Sequence, residues 1–177
     1  FTATCLLCLV EPFVAIWLGQ DFVLTKTILI LAVAIYYFKG INSGIDIAKN
    51  AAGLYYPDRF IPMAEAIANM VISIVLAKRY GIAGVLFGTL VSFLALSFWA
   101  KPYFVCRDVF EVSFARYAVR EGREIVVSVL VAAGTWYAVS LVSLENVLLS
   151  FGVKALLALA LSNGLLLLVY FKTSEFQ

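Results

Sequence analysis

The side chains with the most chemistry to offer sit inside apolar runs. Glu65, Asn69 and Ser73 recur at every fourth position in one run, and Asn42, Asp46 and Asn50 do so in another. In a helix each set shares one face. A carboxylate or carboxamide within an apolar helix is costly unless it meets water, a partner group or a polar ligand. Lys49, Asp58 and Arg59 fall near Asp46 and Glu65 in the connection between the two runs. There, two cations can attract phosphate while carboxylates and amides bond hydroxyl groups. The plainer alternatives stay open: a helix emerging from a bilayer solvates Asn42, Asp46 and Asn50, and Asp58 with Arg59 is a surface cap and its counter-charge. The candidate polar path is therefore Glu65, Asn69, Asp46, Asn50, Lys49 and Arg59. Glu65 leads, because three residues after Pro62 it lies near the positive end of a helix dipole.

Other reactive chemistry is sparse. The chain has no histidine, which removes imidazole as base, metal ligand or phosphate relay. No GxGxxG, Walker A, GxSxG or HExxH pattern occurs, nor an aspartate pair spaced for a metal-dependent glycosyltransferase. Cys5 and Cys8 have CxxC spacing inside an apolar run, where they read as buried thiols, and Cys106 reads as a free thiol or an acylation site. No catalytic residue, metal or cofactor is expected. Glu11, inside the first apolar run, is either a charge lining a pathway or a carboxylate at the membrane boundary.

Helices in a bilayer must position these groups. Of 177 residues, 64% are hydrophobic and only 14% charged, with mean hydropathy +1.01. A soluble domain carries close to twice that charged fraction. Apolar runs separated by turns predict an all-α, polytopic helix bundle of about six spans. They run from Thr2 to Leu18, Phe22 to Phe38 with helical phasing on to Asn50, Ile61 to Ala77, Ile82 to Ala100, Ile125 to Val142 and Leu148 to Phe171. Gly53 and Pro57 punctuate one connection, Lys78 to Gly81 form a very short turn, and Glu145 with Asn146 form another. Gly84, Gly88 and Ser92 make a ridge of small residues suited to close helix packing. Ser162, Asn163 and Gly164 read as a polar break used for helix contact, and Lys154 as a snorkelling cation. Residues 101–124 are expected to form a charged cytoplasmic loop, with Phe110, Phe114 and Tyr117 on one side of a possible surface helix.

Charge sets orientation. Lys26, Lys78, Arg79 and Lys154 fall on one side of the bilayer and the remaining basic residues, including Lys172, on the other. The richer side is expected to be cytoplasmic, and the C-terminus with it. A net charge of +2 without a basic patch gives no reason to invoke nucleic acid. The chain opens on Phe1 with no legible signal peptide and reads as part of a longer protein.

The ordered set EPFVAIWLG, GLYYPDRFIPMAEAIANMVISI, GIAGVLFGTLVS and FWAKP resembles the C-terminal part of bacterial polysaccharide-export flippases, the oligosaccharide flippases of the multidrug/oligosaccharidyl-lipid/polysaccharide superfamily. The likeness spans residues 9–120. It implies that the chain is a single helical lobe whose partner is an N-terminal lobe of the same protein, with a cavity opening alternately to either side. It also implies a cargo, undecaprenyl-pyrophosphate-linked oligosaccharide repeat units, flipped across the bacterial cytoplasmic membrane for capsule, O-antigen or exopolysaccharide assembly, with membrane lipids and a polysaccharide polymerase as further partners. Rival readings are a drug/cation antiporter or lipid II flippase of the same superfamily, and a membrane polymerase or ligase of polysaccharide synthesis. The last would need a large outer loop for its catalytic residues, and the outer connections here are short.

Overall fold

The computed structural model describes residues 1–56, 58–142 and 147–170. Pro57, Glu145, Asn146, Phe171 and Lys172, assigned above to turns, a span end and a terminal charge, lie outside them. The helices are α1 (Thr2–Trp17), α2 (Lys26–Ala51), α3 (Ile61–Tyr80), α4 (Ile82–Ala95), α5 (Ser97–Asp108), α6 (Phe114–Ser140) and α7 (Val147–Tyr170), with a 3-10 turn at Gln20–Phe22. No strand occurs among the described residues, so the fold is all-α. Five helical segments are long and apolar enough to cross a membrane, with α4 and α5 together forming one of them, Ile82–Asp108. α1, with 16 residues, is a shorter apolar helix. The chain is a multi-pass membrane protein. Its α3 shows why: Met63, Ile67, Met70, Val71, Ile74 and Val75 are all exposed, and no α3 residue is fully buried. Such a surface is untenable in water and ordinary against lipid.

The chain forms two compact units, Phe1–Thr25 with Arg123–Gln177, and Lys26–Gly122, the boundary falling inside α6. In the first unit α1 packs on α7. Cys8, Val139 and Ala158 form its core, flanked by Leu9 and Leu157, and Phe13 meets Phe151 with ring centroids 6.4 Å apart. Cys8 is therefore a core thiol, while Glu11 is exposed. Ser162 donates to the Ala158 carbonyl and Asn163 to that of Leu159. These residues satisfy themselves on their own helix, which is why α7 continues through them without a break.

The second unit is built on the α3–α4 hairpin. Gly81, at φ +57°, both closes α3 and opens α4, a backbone state that glycine adopts without penalty. Gly84 and Gly88 are buried against the α3 backbone, at Leu76 and Ser73 respectively, as the small-residue ridge requires. Gly53, at φ +66°, ends α2: the Leu54 amide bonds the Lys49 carbonyl at 3.0 Å, satisfying an otherwise unpaired helix-end acceptor. α2 packs on α4 and α5.

The largest departure from expectation concerns 101–124. Instead of a loop after Ala100, α5 carries through Lys101 and Pro102 to Asp108, and α6 begins at Phe114, leaving only 109–113 as the connection. The interruption lies earlier, at Leu96 (φ −112°, ψ −70°), just upstream of the turn that Pro102 disturbs. Lysine is a good helix former, and Lys101 in addition meets a carboxylate. Phe114 and Tyr117 do share a face, stacked 6.4 Å apart in the first turns of α6, but Phe110 lies outside the helix.

Candidate polar strip between the second, third and fifth helices

Two i, i+4 pairs face each other across α2 and α5. On α2 they are Asn42 and Asp46; on α5, Ser97 and Lys101. Asn42, 1% exposed, donates from Nδ2 to the Ser97 carbonyl at 3.4 Å. One turn further on, Lys101 Nζ lies 3.0 Å from Asp46 Oδ1 and 3.1 Å from Oδ2. The side-chain hydroxyl of Ser97, itself fully buried, donates to the Glu65 carboxylate of α3. A chain of polar groups thus runs from α2 through α5 to α3. Asn42 Oδ1 stays buried with no hydrogen-bond partner, an acceptor that costs about 1–3 kcal/mol to leave unmet.

Rings close the strip at the Phe38 end. Phe38, one turn before Asn42 on the same face of α2, meets Phe98 edge-on at 5.4 Å. Phe98 also meets Phe93 at 6.1 Å and is 3% exposed. Along this face α2 changes from aromatic to amide to carboxylate within two turns, so the strip has a sealed end and an end at Asp46 that remains half-buried.

The six path candidates divide by position. Asp46 and Glu65 belong to the strip. Asn69 lies in the hairpin seam, where its Oδ1 accepts from Ser73 at 2.9 Å and from Thr89 of α4 at 3.2 Å. Glu65, Asn69 and Ser73 do share a face, and it is the face α3 turns toward α4 and α5. Lys49 forms a 2.7 Å ion pair with Asp58, whose side chain is 4% exposed, tying the end of α2 to the start of the next segment. Asn50 is exposed, as is Arg59, whose guanidinium lies 4.3 Å from the Tyr56 ring centroid and 4.6 Å from that of Phe60. Neither reaches the strip by any hydrogen bond.

Ser97 and Lys101 are absent from the candidates. Their i, i+4 spacing was available as a signal, but Trp99 and Pro102 make that region look like a span end, where a lysine needs no partner. Among the described residues no group of three or more His, Cys, Asp or Glu side chains is placed to hold a metal ion. No family model, curated protein or solved structure matches the chain.

Proposed function

We propose that this chain is the C-terminal lobe of a flippase that moves undecaprenyl-pyrophosphate-linked oligosaccharide repeat units across the bacterial cytoplasmic membrane by alternating access, and is not an enzyme. The C-terminus faces the cytoplasm in this reading, and the product feeds a polymerase of capsule, O-antigen or exopolysaccharide synthesis. The order of motifs over residues 9–120 supports the family assignment. The observation that carries the function is the strip: three apolar helices bring Asn42, Asp46, Glu65, Ser97 and Lys101 together.

Sugars and pyrophosphate lose their hydration on entering hydrocarbon at a prohibitive cost, so a carrier must replace it. Asp46, Glu65 and the unmet Asn42 Oδ1 are acceptors, and sugar hydroxyls are donors that match them. The two carboxylates outnumber the one ammonium of Lys101, which makes the strip a poor host for pyrophosphate and directs it to the sugars. The prenyl tail needs no host, since it can remain in lipid.

Replacing Glu65 by Gln or Asp46 by Asn, at unchanged protein level, should lower polymer export by about 10-fold to 100-fold, the loss expected for a charge-assisted hydrogen bond. Lipid-linked repeat units should accumulate on the cytoplasmic leaflet. Full export by both variants would exclude this assignment. The same excess of negative charge favours a second reading, a drug/cation antiporter, which requires organic-cation efflux that E65Q abolishes while export is untouched.

A further inference from the structure

A second feature of the Lys26–Gly122 unit is independent of any transported cargo. Between α3 and the α4–α5 segment lies an apolar groove of about 530 Å³, within the size range of ligand sites. One wall follows the α4–α5 segment, with Leu96 at the junction, Trp99 and Tyr103 at the next two turns of α5, and Phe104 beside the last. Phe60 and Ala64 supply the other wall. Continuing the α5 face by one more turn reaches Arg107, and stepping back from Phe60 reaches Arg59. Both guanidinium groups sit on rings that line the groove: Arg59 lies 4.6 Å from Phe60, and Arg107 lies 5.7 Å from Tyr103 and 5.4 Å from Phe104. Because α3 and α4–α5 are antiparallel, the start of α3 and the end of α5 lie at the same end of the pair, so both cations stand at one mouth of the groove. Arg107 donates from Nε and Nη2 to the two oxygens of Asp108, and Arg59 has no ion-pair partner among the described residues, so the two arginines and the one carboxylate leave the mouth with a net positive charge.

We infer that this groove holds an anionic membrane phospholipid, its acyl chain lying along Tyr103, Trp99 and Leu96 and its phosphate held at Arg59 and Arg107. An apolar trough alone would accept any chain. The two arginines at the same mouth select for a negative headgroup, since an arginine fork matches phosphate geometry and keeps its charge at any physiological pH. Stacking on Tyr56 and Phe60 holds the Arg59 fork in place before the lipid arrives, and Asp108 with the Tyr103 and Phe104 rings holds Arg107, which lowers the ordering cost of binding.

Trp99 reports occupancy directly, because it lines the groove and is 42% exposed. The test uses the full-length protein with Trp99 as its only tryptophan, reconstituted in phosphatidylcholine vesicles containing an equal, minor fraction of acyl-brominated phosphatidylglycerol or acyl-brominated phosphatidylethanolamine. Brominated phosphatidylglycerol should quench Trp99 more strongly, with a preference on the order of fivefold for each arginine. Arg59→Gln and Arg107→Gln, both at exposed positions, should each reduce that preference, and together abolish it, with helical content unchanged. Equal quenching by the two lipids, or a preference that survives both changes, would overturn the inference; the groove would then hold a neutral chain or another protein surface. Because no cargo is present in the vesicles, failure here leaves the transport assignment standing, and failure of the export test leaves this one standing.

Discussion

Lys101 and Asp46 illustrate how a charged pair is tolerated within an apolar bundle. Their 3.0 Å separation and the low exposure of Lys101 mean that removing one partner strands the other. Lys101→Met should therefore lower thermal stability in detergent more than the double change Asp46→Asn with Lys101→Met does. A double-mutant cycle should return a coupling of about 0.5–3 kcal/mol. A coupling near zero would mean that the pair is incidental. Asn69 and Glu65 should separate in the opposite sense. Asn69 accepts two hydroxyl donors within the hairpin seam, so Asn69→Ala should cost about 1–3 kcal/mol in stability yet leave export per folded molecule unchanged. Glu65→Gln should do the reverse. At this scale the sequence was informative about faces and silent about partners. The four-residue recurrence of Asn42 and Asp46, and of Glu65, Asn69 and Ser73, reported which residues shared a helix surface. What met that surface, Ser97 and Lys101 from the far side of a hairpin, is a tertiary pairing that no local spacing encodes.

Among the elements, the α3–α4 hairpin was the most legible. One glycine at the turn and two at successive i, i+4 positions in α4 specify both the reversal and the close approach. A methyl group at Gly88 would meet the Ser73 side chain and backbone, and one at Gly84 the Leu76 carbonyl. Gly88→Ala should destabilise the protein by about 1–3 kcal/mol. Gly134→Ala on α6, where a methyl group meets nothing within 4 Å, should be neutral or stabilising by up to about 1 kcal/mol. Equal effects from the two would argue against the tight seam. The helices around 101–124 were illegible for a physical reason. Proline and a run of charges after Trp99 look like the end of a span, yet lysine, arginine and glutamate are good helix formers, and here Lys101 gains an ion pair while Trp99, Tyr103, Phe114 and Tyr117 associate through their rings.

For the whole molecule, the distribution of cations and the helix boundaries together set the sidedness. The connection at 109–113 and the turn at Gly81 are separated by one membrane-length segment, Ile82–Asp108, and should lie on opposite sides. In a variant with Cys5, Cys8 and Cys106 replaced by serine, a membrane-impermeant thiol reagent added outside should label Tyr80→Cys and spare Ser113→Cys. Inverted vesicles should exchange the two. Labelling of Ser113→Cys from outside would reverse the orientation argued from the basic residues. The most direct test of the polar strip as a cargo path is leaflet transfer itself. Full-length protein in liposomes would be given an undecaprenyl-pyrophosphate-linked oligosaccharide, and sugar accessible to an impermeant oxidant would be followed with time. Native protein should render the protected pool accessible at a rate that falls at least about 10-fold in Glu65→Gln; transfer at the native rate by that variant would contradict the account.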